Sequence, residues 1–196
     1  MNFTRTIADA ELVVQARRGS EDGFEELVRR YQRPIVAYVY RMISDYDAAL
    51  DATQEVFIKV YNSLDRYSSE YKFSTWIYRI AHNVAIDHLR RRNAHGANLY
   101  IAGSDEDDFE RPLPNRDQPS PEAASERAER RETIEAVVQT LPPGYRELIL
   151  LRHAHDMSYD EIAEVTGLPL GTVKNRIFRA RACVRERLVE RGITSA

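Results

Sequence analysis

The sequence predicts an all-α protein of two helical domains joined by a flexible acidic linker. Three observations carry that prediction. Glycine and proline number eight each in 196 residues, where average usage gives roughly 24 in total, so turns are scarce and long helices are favoured. Apolar residues recur at spacings of three and four on both sides of the chain's centre, and no convincing alternating strand or internal repeat interrupts them. Between these helical stretches, residues 98–123 carry Pro112, Pro114, Pro119 and Pro121 together with the run Asp105-Glu106-Asp107-Asp108. Such a segment breaks regular helices and has no apolar period.

The elements follow in order. Leu12, Val13 and Ala16 make a first apolar stripe, and Phe24, Leu27, Val28 and Tyr31 a second. Val56, Phe57, Val60, Tyr61 and Leu64 fall on one face of a third helix, and Phe73, Ile77, Ile80 and Val84 on one face of a fourth. Beyond the linker, Ile134, Val137, Val138 and Leu141 restart the pattern until Pro142-Pro143 stops it. The expected domains are 8–97 and 130–190, with 98–129 between them as an acidic linker. A connector of that length is either a solvated tether or functional in its own right.

The last part holds the most specific local signal. Ser158 followed by Glu161 reads as a capping box that opens a helix of about two turns. Gly167 sits where that helix must stop, Leu168-Pro169 closes the turn, and Thr172 is expected to cap the next helix. A short helix, a tight turn and a longer basic helix make a helix-turn-helix. On the second helix Val173, Ile177, Ala180, Val184 and Leu188 form a complete buried stripe. Lys174, Phe178, Arg181 and Arg185 lie on an adjoining face, which Asn175 and Arg179 extend. A large aromatic among cations suits a groove-reading helix: cations for phosphates, an amide and a ring for base edges. The alternative is a solvated basic helix whose Phe178 packs on a neighbour.

Two faces in the first part also stand apart from their core stripes. Trp76, Arg79, Asn83 and Arg90 run down one flank of the fourth helix, which ends in Arg90-Arg91-Arg92. Aromatics beside arginines suit stacking on unpaired bases; equally, Trp76 can belong to the core and the arginines can complement the helix dipole. On the third helix Asp51, Gln54, Glu55, Ile58 and Asn62 lie opposite the buried stripe, and the apolar Ile58 within a polar face hints at a protein partner.

Charge follows the same division. Residues 1–97 carry 14 basic against 13 acidic side chains, residues 98–138 carry 5 against 11, and residues 172–191 carry 7 against 2. The basic end points to a nucleic-acid partner for that part of the chain. One cysteine, Cys183, excludes a disulfide framework and a Cys-rich zinc module, and its place near the core stripe marks it as a packed thiol rather than a redox switch. No apolar run approaches the roughly 20 residues of a membrane span and no signal peptide opens the chain, so a cytoplasmic setting without membrane insertion is expected. The five histidines lack metal-ligand spacing, and no phosphate-binding loop or nucleophile–His–Asp arrangement stands out. Neither enzymatic activity, a cofactor nor a metal is expected.

Taken together, three motifs in order resemble a bacterial sigma factor of the extracytoplasmic-function group, the minimal two-domain class (group 4) of the sigma-70 family. They are Asp51-Ala-Thr-Gln-Glu-Val-Phe, Phe73-Ser-Thr-Trp-Ile-Tyr-Arg-Ile-Ala-His-Asn and Leu170-Gly-Thr-Val-Lys-Asn-Arg-Ile-Phe-Arg-Ala-Arg. The resemblance implies that 8–97 is sigma region 2 and 130–190 sigma region 4. It implies that the chain binds core RNA polymerase through Asp51, Gln54, Glu55, Ile58 and Asn62 on the β′ clamp, with the β subunit a further contact. It implies that the loop from Asp65 to Ser74 and the helix after it recognise and melt the promoter −10 element, through Tyr67, Ser68, Lys72, Ser74, Thr75, Trp76, Arg79, Asn83, Arg90 and Arg91. It assigns the −35 element to Thr172, Lys174, Asn175, Phe178, Arg179, Arg181 and Arg185. It places the acidic linker in the polymerase active-site cleft and RNA exit path, and it adds an anti-sigma factor as a further class of partner. An ordinary helix-turn-helix regulator, independent of core polymerase, would account for the second domain but not for the first two motifs.

Overall fold

A computed structural model describes residues 7–92, 132–191 and 193; the expected linker, 98–129, lies outside the described residues. The described chain divides into two compact units, with no strand among the described residues.

The N-terminal unit consists of α1 (Asp9–Arg17), α2 (Glu21–Ile43), α3 (Tyr46–Ser63) and α4 (Phe73–Arg92), with a single 3₁₀ turn, Leu64–Arg66, after α3. Its starts are set by local chemistry. Ser20 accepts the Gly23 amide at 3.3 Å to cap α2, and Asp45 accepts the Ala48 amide at 3.1 Å to cap α3. Each such cap satisfies an amide that the helix itself leaves without a partner, an effect of about 1 kcal/mol. Gly23 is required by packing: a Cβ there would lie 2.9 Å from Gln15 Cβ and 3.1 Å from the Leu12 carbonyl oxygen, so α1 could not cross α2 this closely. Pro34 lies inside α2 and removes one N–H from its ladder.

The core of this unit is formed by Leu12, Val13, Leu27, Ile35, Val39, Val56, Val60, Ile77 and Val84, all buried. The structure corrects the expected stripes at their edges. Tyr61 is 63% exposed, because the buried line of α3 runs through Ala49, Ala52, Val56 and Val60 and Tyr61 lies round the helix from it. Its ring meets Phe24 edge-on, with centroids 5.1 Å apart. Phe57, Ile80, Phe24, Val28 and Tyr31 are half-buried rather than buried.

The C-terminal part of the chain carries α5 (132–139), α6 (Pro143–Ile149), α7 (Tyr159–Thr166) and α8 (Leu170–Glu190). Pro142 precedes α6 and Pro143 occupies its first turn, where a missing N–H costs nothing. Beyond Ile149 the helix widens into a π turn over Leu150–Ala154. Val138, Leu141, Ile149, Leu150 and Ala180 form a core cluster with Tyr145, Cys183 and Val184 packed against it. Cys183 is therefore a partly buried packing residue. Ile134, expected in the buried stripe, is exposed, and Val184 is half-buried.

Candidate nucleic-acid and polymerase interfaces

The helix-turn-helix is built as its residues demand. Ser158 and Glu161 make the reciprocal pair: the Glu161 amide donates to Ser158 Oγ at 3.2 Å and the Ser158 amide to Glu161 Oε2 at 2.8 Å. Two backbone donors at the start of α7 are thereby satisfied. Gly167 ends the helix at φ +70°, a conformation with little cost only for glycine. One expectation fails here. Thr172 does not cap α8, which starts two residues earlier at Leu170 after Pro169, since the fixed φ of proline already turns the chain into the helix.

On α8, Val173, Ile177, Ala180 and Leu188 are buried, whereas Phe178 is 52% exposed. Lys174 and Arg185 are exposed, and Thr172, Asn175, Arg179 and Arg181 are half-exposed. Phe178 thus stands outside the core, as a residue meant for a partner would. Arg181 Nε donates to His153 Nε2 at 3.4 Å. Desolvation of the imidazole, then the cations Arg181 and Arg152, hold His153 below the usual histidine range, against a smaller opposing effect of Asp156.

In the N-terminal unit the face on α3 separates as expected. Asp51, Gln54, Ile58 and Asn62 are exposed while Val56 and Val60 are fully buried. Glu55, half-buried, pairs with Lys59 at 2.7 Å. Ile58 reaches 61% exposure and edges a groove of about 380 Å³ between α2 and α3, lined by Val28, Val36, Leu50, Thr53, Gln54 and Phe57. An exposed isoleucine beside an apolar groove is a larger apolar surface than a single exposed isoleucine, which by itself is ordinary.

The loop between α3 and α4 is organised by aromatics. Tyr67 is buried; its ring lies 5.6 Å from Phe73 and 5.3 Å from Trp76, and Phe73 and Trp76 are 5.7 Å apart. Its hydroxyl donates to the Tyr71 carbonyl at 2.7 Å, and burial raises its pKa. Two of the residues expected on the −10 surface are buried. Tyr67 packs inside the loop against Phe73 and Trp76, and Thr75 is buried at 3% exposure on α4. Trp76 is half-buried, one part of its ring in the cluster. Ser68, Lys72, Arg79, Asn83, Arg90 and Arg91 are exposed and Ser74 is half-exposed; Arg90 also meets Asp87 at 3.7 Å. Tyr71, which no periodicity singles out because it belongs to no helix, is 52% exposed and adds an outward aromatic to the loop. Among the described residues no cluster of three or more His, Cys, Asp or Glu could hold a metal ion.

The chain thus carries one unit with a helix-turn-helix and an exposed aromatic–basic helix, and another with an aromatic–basic flank and an apolar groove, a combination that suits a two-part DNA-binding protein. The comparisons make this specific. Residues 27–95 match the family model for sigma-70 region 2, and residues 131–184 that for sigma-70 region 4. The chain is 37% identical over 180 residues to the RNA polymerase sigma-H factor of Pseudomonas aeruginosa, covering 92% of this chain and 93% of that one. It is 34% identical over 177 residues to the ECF RNA polymerase sigma factor SigW of Bacillus subtilis, covering 90% and 94%. The solved structure of CnrH in complex with the cytosolic domain of CnrY is similar with a TM-score of 0.65 and 26% identity, over 94% of this chain and 99% of that one. The chain belongs to the ECF sigma factors of the sigma-70 family. It is an alternative sigma factor that directs promoter-specific transcription initiation, and a regulator independent of core polymerase is not supported. No described helix is long and apolar enough to cross a membrane.

Proposed function

We propose that this sigma factor divides promoter recognition between its two units and docks on the polymerase through a third surface. The domain limits proposed are 8–97 for the first unit, 98–129 for the linker and 130–190 for the second. In the first unit, Asp51, Gln54, Glu55, Ile58 and Asn62 contact the β′ clamp of core polymerase. The observation that carries this assignment is Ile58, 61% exposed at the rim of the α2–α3 groove and ringed by polar side chains. An apolar anchor within a polar rim is how a stable but separable protein interface is composed.

The loop and the outer flank of α4 take the −10 element. Ser68, Lys72, Ser74, Trp76, Arg79, Asn83, Arg90 and Arg91 supply cations for the backbone and an aromatic surface for bases. Unstacking a base costs a few kcal/mol, and a pre-formed aromatic site returns part of that cost. In the second unit Lys174, Asn175, Phe178 and Arg179 read −35 base edges, while Thr172, Arg181 and Arg185 set position on the phosphates. The acidic linker follows the polymerase cleft, where its carboxylates stand in for RNA phosphates. Synthesis of RNA belongs to the polymerase, so the chain itself supplies binding energy and no bond-making chemistry. An anti-sigma factor is the regulatory partner proposed; the similar CnrH is seen bound to the cytosolic domain of CnrY, and the working place of the complex is the cytoplasm.

The test is equilibrium binding of full-length chain to purified core polymerase. Asp51→Ala combined with Gln54→Ala is expected to weaken core binding by about tenfold or more, as loss of central interface residues does, with thermal stability nearly unchanged because both side chains are exposed. Equal core affinity for variant and parent would refute the docking assignment.

A further inference from the structure

Arg17 closes α1 and lies ahead of the segment matched to region 2, which begins at residue 27. Its side chain nevertheless reaches the far end of α3. Nε donates to the Leu64 carbonyl at 2.9 Å, Nη2 donates to the same oxygen at 2.6 Å, and Nη2 also donates to the Tyr67 carbonyl. The guanidinium stands 5.9 Å from the centre of the Tyr67 ring. The end of a helix carries the negative end of its dipole, and a carbonyl oxygen has a second lone pair for an outside donor, so a forked cation is well suited to tie the Leu64 and Tyr67 carbonyls together.

The bonds continue beyond that point. The Tyr67 amide turns back to Leu64 at 3.2 Å, its ring packs on Phe73 and Trp76, and its hydroxyl holds the Tyr71 carbonyl. Residues 68–72, all exposed, are therefore a loop whose first support is Tyr67, and Tyr67 is braced by Arg17. We infer that Arg17 is a positioning residue for −10 capture: it sets the Tyr67 anchor, and through it the loop and the half-buried Trp76, before DNA arrives. The inference rests on the assignment of this loop and of α4 to the −10 element.

Trp76 is the single tryptophan of the chain, so its fluorescence in the full-length protein reports this cluster directly. Two measurements are paired: acrylamide quenching of Trp76, and affinity of the reconstituted holoenzyme for a promoter, mapped by run-off transcription, whose −10 segment is held open by non-complementary strands. Arg17→Ala is expected to make Trp76 more quenchable and to lower affinity for the opened promoter by about tenfold, the scale of a charge-assisted hydrogen bond, with core-polymerase binding unchanged. Arg17→Lys, which keeps the charge but reaches one carbonyl at a time, is expected to restore part of both. Arg79→Ala with Asn83→Ala tests the underlying assignment. If that double variant loses opened-promoter affinity while Arg17→Ala matches the parent in quenching and affinity, Arg17 has no positioning role and the −10 assignment stands. If the double variant also matches the parent, the −10 assignment fails and this inference fails with it. Should Arg17→Ala lose core binding and melting temperature along with DNA affinity, and Arg17→Lys restore all of them together, the residue is a structural brace only and the inference is overturned.

Discussion

The two surfaces proposed to face DNA are constructed differently. On α8 a single helix carries both functions, with Val173, Ile177 and Ala180 buried on one side and Phe178 half in solvent on another. Phe178 itself lies outside the core cluster, so its removal is expected to leave the buried stripe of α8 in place. The surface of the N-terminal unit is a loop and a helix flank resting on Tyr67, Phe73 and Trp76, which touch one another within 5.3–5.7 Å. Aromatic contacts of this kind contribute about 0.5–1.5 kcal/mol each beyond their burial. On the proposed assignment, recognition and stability rest on different residues in the first case and share the aromatic cluster in the second.

The largest expected effect breaks that sharing. Phe73 is buried and meets Tyr31 as well as Tyr67 and Trp76. Phe73→Ala is expected to destabilise the N-terminal unit by about 3–5 kcal/mol, measured by denaturant unfolding followed through Trp76. By contrast Phe178→Ala should leave stability within about 0.5 kcal/mol and cost roughly 1–3 kcal/mol in discrimination at one −35 position, measured on single-base promoter variants. A large stability loss from Phe178→Ala would remove the distinction between the two surfaces.

Smaller effects sharpen it. Ser158→Ala removes one side of the α7 capping pair and should cost about 1 kcal/mol, seen as faster hydrogen exchange in α7. The smallest effect concerns pH. The folded state holds His153 below its ordinary value, so as pH falls the unfolded chain takes up this proton first. Stability from this site is therefore complete above about pH 6.5, the ordinary histidine value, and declines as pH falls below it. His153→Gln should flatten that slope in exchange of the α6 amides, while a slope identical to the parent's would assign the pH response elsewhere.

What could be read from sequence follows the same contrast. The α8 stripe, the capping box and Gly167 are local patterns, and a helix period of 3.6 separates inside from outside without any knowledge of neighbours. Tyr61 is exposed although it shares the apolar period of α3, because periodicity gives an angle but not the width of the helix that covers it. The resemblance places Tyr67 and Thr75 among the −10 residues, but their burial depends on how α4 returns against α2 and α3, which no local pattern gives. The Arg17 brace spans 47 residues to Leu64, and no local pattern announces a cation that satisfies carbonyls on another helix.

The most direct test of the divided reading is run-off transcription by holoenzyme carrying Phe178→Ala or Asn83→Ala, on promoters with single-base changes at −35 and at −10. Phe178→Ala should flatten the preference at −35 and leave that at −10 intact, and Asn83→Ala should do the reverse. If both variants lower transcription from every promoter by one common factor, neither surface reads sequence and the division of labour between the two units is wrong.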